Sequence, residues 1–448
     1  MAIVGSCNIC QYTEILLSLQ NGLLIQINKT RRGCRKLTSP GTPLRVFLKI
    51  QMQILTSKDR SDIARQPPLL QSGFRLFFSG AAVFAVASMI LWMANYSFGI
   101  SIATGELSGR QWHAHEMIYG YSLAVIAGFL LTAVANWTGQ TVLEGWRLAG
   151  LFALWAIPRV LLLCGGEFIL LAAFVDIAFI LSLMVALALP IVRARQWIQL
   201  GLLSKLLLLG LANAAFYLDY FDGLDNGMYW AMYGGLYLVI GIVLTMGRRV
   251  LPSFIESGVG YPVQLRNSRW LDGSSLVLFL AFFIVELFFT ASGLTPIVAG
   301  ALFVVTSLRL AGWYTPGIWR VPLLWSLYLA FVFIDIGFLM FALGAVAGVS
   351  KFLAIHAFAT GGIGIVTMSM MARVSLGHTG RQVGNPPNLA VYMLVILALS
   401  AVVRVLMPLL AARYYPEWII ISQGLWILAF SLFVVAYFQI LTGPDHSG

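Results

Sequence analysis

Charged residues are scarce in this 448-residue chain. Only 10% of the residues are Asp, Glu, Lys or Arg, whereas 60% are hydrophobic, and the mean hydropathy is +0.88. Soluble domains carry roughly a quarter charged residues, so the composition excludes a water-soluble globular enzyme. Cysteine is also scarce, with 4 in the chain, and no disulfide framework is expected. Cys7 and Cys10 form a CxxC, but it lacks a second ligand pair at the spacing of a zinc site.

The chain is instead rich in apolar runs of about 20 residues, the length that an α-helix needs to cross a hydrocarbon core roughly 30 Å thick. The runs are continuous and do not alternate as the strands of a membrane barrel would. We therefore predict an all-α, polytopic transmembrane helical bundle of about 12 spans. The expected spans are residues 75–97, 113–137, 146–165, 167–192, 199–218, 229–247, 273–292, 295–312, 322–346, 350–373, 388–412 and 417–442.

The distribution of basic residues predicts that both termini are cytoplasmic. In that orientation the cytoplasmic loops hold twelve Lys and Arg residues, and the outer loops hold only Arg110, Lys351 and Arg413. This asymmetry satisfies the positive-inside rule. The formal charge of +11 is then a consequence of topology, so we expect a lipid bilayer as partner and no nucleic acid.

The N-terminal segment differs from the rest of the chain. Residues 1–70 are basic and polar and contain no 20-residue apolar run, and their order of charge and hydrophobicity is not that of a secretory signal. We interpret them as a cytoplasmic extension that is either disordered or the result of a misplaced start, with Met52 as an alternative start. Residues 71–448 form the predicted transmembrane domain.

Ionisable residues within the spans are few and costly, so each is expected to have a partner or a task. Arg159 and Asp176 lie at similar depths on consecutive spans, and we predict a structural ion pair between them. Glu286, Asp335 and Arg404 are isolated in the sequence. The sequence leaves open whether they belong to a proton path or are paired interior charges.

Four of the five histidines fall in two segments. His113 and His115 lie at the start of span 2, and His356 and His378 lie in and just after span 10. The topology places the first three at comparable depth, while His378 is about 33 Å of helix from His356, near the cytoplasmic face. Neutral imidazoles converging from different helices are typical of haem, copper or zinc sites. They are also found as satisfied interfacial polar groups, and the residues alone leave both interpretations open.

Small residues follow both histidine segments at helical spacing. Span 2 has Gly120, Ala124 and Gly128, and span 10 has Thr360 and Gly364. They would clear space for a bulky planar cofactor, but small residues at such spacings also let transmembrane helices approach closely. We favour the packing interpretation for this stripe taken alone.

Several motifs together resemble the NnrS family of bacterial membrane proteins. They are WHAHEM at residues 112–117, AGFLLTAV at 127–134, GRRVLP at 247–252 and the run at 356–381 that ends in SLGHTGR. The likeness extends from about Gln66 to the end of the chain and leaves out the first 60 or so residues.

The resemblance implies a multi-pass protein of the bacterial inner membrane that contains haem and copper and helps cells to withstand nitric oxide and nitrosative stress, with genes associated with denitrification. The residues expected to bind these cofactors and their metals are His113, His115, His356 and His378. Glu116 is expected to support a ligand by accepting a histidine N–H. Nitric oxide is the expected ligand, whereas no protein partner is indicated.

Two other functions compete with protective binding of nitric oxide. A membrane oxidoreductase that acts on nitric oxide is ranked lower, because respiratory haem-copper centres use more intramembrane histidines than the four present. A secondary transporter would suit 12 spans with buried charges, but the sequence has no convincing 6+6 repeat. Whether the protein is an enzyme stays open.

Overall fold

The computed structural model describes residues 66–445. These residues form helices joined by short connections, and no strand occurs among them, which confirms the all-α prediction. Most of the predicted N-terminal extension, with Cys7 and Cys10, lies outside the described residues.

Twelve long helices follow one another along residues 66–445. They are α1 Gly73–Phe98, α2 Gly109–Thr138, α3 Gly145–Leu161, α4 Gly166–Arg193, α5 Trp197–Tyr220, α6 Gly227–Gly258, α7 Arg269–Phe288, α8 Thr295–Trp313, α9 Pro322–Ala347, α10 Lys351–His378, α11 Asn388–Leu410 and α12 Ala412–Thr442. Eleven of them are long and apolar enough to cross a membrane. The remaining helix, α3, is shorter and has 17 residues. The predicted number of spans therefore agrees with the structure, and the cytoplasmic location of the termini stays a prediction.

Polar caps and left-handed glycines set the helix ends near the histidines. Ser108 caps α2 by a reciprocal pair of bonds with Gln111, and the Ser350 hydroxyl accepts from the backbone N–H of Phe352 at the start of α10. Helix α2 ends at Gly139, whose φ of 64° a residue with a Cβ would rarely adopt. These caps fix where each histidine helix starts and hence where its histidines lie.

Three helices are more deeply buried than the rest. The share of the central apolar window that is buried is 83% for α2, 72% for α10 and 56% for α6, against 28% to 50% for the other eight helices that could span a membrane. Each of the three packs against the other two. They form the inner layer of the bundle, and the remaining helices surround them.

The helix order repeats every four helices. The inner helices α2, α6 and α10 begin at residues 109, 227 and 351. In the outer layer α3 packs on α4, α7 on α8 and α11 on α12, while α4 packs on α5, α8 on α9 and α12 back on α1. The described chain is thus three four-helix units in a closed ring, each unit contributing one helix to the interior.

Each inner helix contains a π-helical segment close to its N-terminus. The segments are Glu116–Ser122 in α2, Trp230–Gly234 in α6 and Ala357–Gly364 in α10. A π-helix is rare and is frequently found at functional sites, because the extra residue in the turn changes which side chains face inward. Their shared position places all three π-helical segments at the same end of the inner layer.

Glycines serve close packing, as the stripe in span 2 indicated. A Cβ on Gly128 would lie 2.8 Å from Phe78 of α1, and one on Gly361 would lie 2.4 Å from Phe333 of α9. Only glycine lets these helices approach so closely.

Candidate functional site

A cavity of about 540 Å³ lies among the π-helical segments of the three inner helices. Met117 and Tyr121 of α2, Tyr233 of α6 and Thr360 of α10 line it, together with residues of α1, α11 and α12. This volume lies in the range of small-molecule and cofactor sites. The cavity is therefore the candidate functional site.

The cavity wall is largely apolar and aromatic, and its charged residues are all basic. The aromatic lining residues are Trp92, Tyr96, Tyr121, Tyr233, Phe352, Tyr415 and Trp426. Two histidines, His113 and His356, and two arginines, Arg110 and Arg404, also line it, and none of the described lining residues is Asp or Glu. The cavity thus combines imidazoles and cationic groups without a neutralising carboxylate.

His113 of α2 is held by an aromatic stack. Its ring is parallel to that of Trp92, with the ring centroids 4.4 Å apart and 5° between the planes. Its Nδ1 is buried and has no hydrogen-bond partner among the described residues. A ring fixed in orientation but with an unused nitrogen is suited to accept a ligand.

Hydrogen bonds fix the tautomer of His356 in α10. Its Nδ1 lies 2.6 Å from the carbonyl oxygen of Phe352, which can only accept, so Nδ1 donates. Its Nε2 therefore has a lone pair and accepts from Nη2 of Arg404 at 3.2 Å. This is the arrangement of metal-ligating histidines, in which one nitrogen donates to a backbone carbonyl and leaves the other free to ligate.

His115 faces a different part of the bundle from His113. Residues two apart on a helix do not share a face. The Nδ1 of His115 lies 2.9 Å from Oε1 of Glu116, and its Nε2 lies 2.9 Å from Oδ1 of Asn213. Oε1 also accepts from Arg159, and the Asn213 amide donates its Nδ2 to Asp176, so both neighbours of the ring are acceptors. Both ring nitrogens of His115 are therefore occupied by these acceptors, and neither is left for a ligand.

The partners of His115 form a buried cluster of ionisable side chains. Arg159 of α3 pairs with Glu116 at 2.8 Å and with Asp176 of α4 at 2.6 Å, which confirms the predicted pair between Arg159 and Asp176. All four charged residues are at least 96% buried. In this cluster Arg159 lies against the carboxylates of both Glu116 and Asp176, and these contacts join α2, α3 and α4.

His378 lies at the opposite end of α10 from His356. It is exposed, contacts the ring of Phe74 and approaches Nδ2 of Asn136 at 3.5 Å. It does not line the cavity. The structure therefore shows the large separation between His356 and His378 that the helical rise predicts.

The structure thus brings together two of the four predicted ligands, His113 and His356, and places His115 and His378 elsewhere. Glu116 supports His115 and not a cavity histidine. Within residues 66–445 no group of three or more His, Cys, Asp or Glu side chains is arranged to hold a metal ion. Sequence reasoning missed Trp92 and the π-helical segments, and it left Arg404 without a role.

Comparison with known proteins assigns the chain to a family. The NnrS protein family matches residues 68–444, which covers nearly all of the part that the structure describes. The comparison with curated proteins found no match. The twelve-helix membrane bundle and this match agree, and the chain belongs to the NnrS family.

Proposed function

We propose that this protein holds a haem cofactor, together with copper, in the cavity between α2, α6 and α10 and that it protects the cell against nitric oxide. The observation that carries the proposal is that His113 and His356, from two helices far apart in the chain, line the same cavity. The bacterial inner membrane is the proposed location.

The lining residues fit a porphyrin. A haem supplies four nitrogen ligands itself, so one or two imidazoles complete the coordination of its iron, and a cluster of three protein ligands is not needed. The two candidate nitrogens are the unpartnered Nδ1 of His113 and Nε2 of His356, whose lone pair now accepts from Arg404. The aromatic and aliphatic wall suits a large planar apolar ring.

Side chains around the two histidines would control their orientation. Trp92 keeps the His113 ring in one plane by stacking, and the carbonyl of Phe352 keeps His356 in the tautomer that ligates through Nε2. Arg404 has to leave Nε2 before a metal is bound there, because that nitrogen has a single lone pair.

For copper, the lining offers thioethers as well as imidazoles. Met89, Met117 and Met232 line the cavity, and methionine sulfur is a preferred ligand of Cu(I). The methionines of α10 are placed differently: Met368 and Met371 are fully buried in the core, and Met370 lies at a small apolar cavity in another part of the bundle.

Nitric oxide is small and apolar, so it can reach a buried metal from the lipid without a polar pore. Haem iron, when bound, supplies a coordination position for it. The protein contributes a largely apolar and aromatic wall around that position. An oxidoreductase on the same cavity is the alternative, and turnover with reductant distinguishes it from protective binding.

The test is the ultraviolet–visible spectrum of the detergent-purified protein, oxidised and dithionite-reduced, with iron and copper quantified on the same sample. We expect a Soret band that is lost or shifted in His113→Ala and in His356→Ala. His378→Ala is the matched control and should leave the spectrum unchanged. A folded protein that is colourless and cannot be loaded with haemin would overturn the proposal and favour a transporter.

A further inference from the structure

Two arginines occupy matching positions in the first and third four-helix units. The sequence AIPRVL at residues 156–161 of α3 aligns with AVVRVL at residues 401–406 of α11, which matches Arg159 with Arg404. Both helices directly follow an inner helix of their unit, and both arginines bond to that inner helix. Arg159 and Arg404 are therefore equivalent side chains that lie in different surroundings.

The inner helices align as well. The segment HEMIYG at residues 115–120 of α2 matches HAFATG at residues 356–361 of α10, and the same register matches Val125 with Val366 and Thr138-Gly139 with Thr379-Gly380. His115 then corresponds to His356. Glu116, which pairs with Arg159, corresponds to Ala357.

The consequence is that one arginine is neutralised and the other is not. Arg159 has two carboxylate partners, Glu116 and Asp176. Arg404 is only 9% exposed, no carboxylate of the described residues pairs with it, and its Nη1 has no hydrogen-bond partner there. Its contacts include Nε2 of His356 and Tyr415, whose ring centroid lies 5.8 Å from the guanidinium carbon.

A buried, unpaired guanidinium within a membrane bundle is costly, and such residues almost always pair or mark a binding site. Arg404 lines the cavity, where Arg110 adds a second positive charge and no described lining residue is acidic. Arg404 therefore borders an open volume, whereas Arg159 is packed against two carboxylates.

We propose that the cavity binds an anionic oxygen group, a carboxylate or a small oxyanion, against Arg404. The ligand supplies the negative charge that Glu116 supplies to Arg159, and a planar guanidinium suits a two-oxygen acceptor. The group is either a carboxylate of a bound porphyrin or a free oxyanion of the size of nitrite. The proposal deepens the proposed function because it concerns the same cavity, and it rests on that function only where the porphyrin is the source.

The first arm of the test uses the purified full-length protein in detergent without added haem. Sodium nitrite is titrated at constant ionic strength while the unfolding temperature is measured. A free oxyanion predicts a saturable rise in this temperature that is absent in Arg404→Gln and retained in part in Arg404→Lys. Arg320→Gln, an exposed arginine outside the cavity, is the control and should respond as the wild type does.

The second arm compares haemin with its dimethyl ester, in which both carboxylates are blocked, by absorbance titration. A porphyrin carboxylate at Arg404 predicts that the wild type binds haemin at least about tenfold more tightly than the ester and that Arg404→Gln loses this preference. The ester titration reports binding of the ring itself, so it separates a failed cofactor proposal from a failed anion proposal.

A positive result in either arm supports the anion site, and the arm that responds identifies the source. If folded Arg404→Gln matches the wild type in both arms, the proposal is overturned, even where haemin binds. If neither porphyrin binds but the nitrite response depends on Arg404, the anion site stands and the haem proposal fails. Should Arg404→Gln not fold, Arg404→Lys and Ala357→Glu carry the test, because the first retains the charge and the second supplies an internal carboxylate.

Discussion

Arg404 donates a hydrogen bond from Nη2 to Nε2 of His356 across 3.2 Å, which joins α11 to the inner helix α10 at the cavity wall. The nitrogen that the tautomer of His356 leaves available for a metal is therefore the one that this arginine occupies. A metal and Arg404 would compete for the single lone pair on this nitrogen, so binding of a metal there would require Arg404 to move away.

The first prediction follows from that competition. Arg404→Leu removes the hydrogen-bond donor to Nε2 of His356. It should raise the affinity of the cavity for haem dimethyl ester by about tenfold, which corresponds to the free energy of one hydrogen bond to a charged group. Absorbance titration with this ester measures the change in affinity. The ester is used because it has no free carboxylate, so the substitution removes no carboxylate contact with Arg404. Unchanged or weaker ester binding in the folded variant would contradict competition at Nε2.

The second prediction concerns Ala357. Ala357→Glu gives the third unit the carboxylate that Glu116 provides in the first, and it should neutralise Arg404 internally. Saturable stabilisation by nitrite, or the preference for haemin over its ester, should then disappear while Arg404 is still present. Ala357→Gln is the matched control of the same size without charge, and equal behaviour of the two variants would exclude an electrostatic cause.

The third prediction tests the buried ionic cluster around His115. Arg159→Met leaves Glu116 and Asp176 buried without their arginine, and breaking a buried ion pair in this way costs about 3–5 kcal/mol of stability. Thermal unfolding followed by tryptophan fluorescence should show a large fall in the unfolding temperature. Arg320→Met, at an exposed position, should change it little, and an equally small effect for Arg159→Met would show that the cluster does not stabilise the bundle.

The fourth prediction concerns helix approach. A Cβ on Gly247 of α6 would lie 2.0 Å from the ring of Phe331 in α9, so Gly247→Ala should destabilise the protein by about 1–3 kcal/mol through overpacking. Gly150 of α3 has no neighbour within 4 Å of such an atom, and Gly150→Ala should be tolerated. Unfolding temperatures of the two variants, measured in the same detergent, decide the point, and an equal response would refute the packing role of Gly247.

Much of the fold could be predicted from the sequence. Continuous apolar runs of about 20 residues gave the helices and their number to within one, because a bilayer accepts few other structures. The ion pair of Arg159 with Asp176 could be predicted as well, because a tight connection places consecutive helices at matched depth. The sequence shows no 6+6 repeat, because the described helices repeat in units of four with only short stretches of similar sequence.

The candidate site was only partly predictable. Depth along the helices grouped His113, His115 and His356, but depth does not specify the face of a helix. His115 lies two residues from His113 and turns toward α4 and α5, where it meets Asp176 and Asn213. The π-helical segments also change the facing of the side chains beyond them, and no residue pattern in the sequence indicated these segments.

The sequence by itself determined that the protein is a helical membrane bundle and which family it belongs to, since composition, run length and local motifs are properties of neighbouring residues. Only the tertiary structure decided which histidines share a cavity, that His115 belongs to a buried ionic cluster and that Arg404 lacks a carboxylate. The physical reason is that these are relations between helices that are far apart in the chain. Their partners are set by helix rotation and by the packing of three inner helices, not by spacing along the sequence.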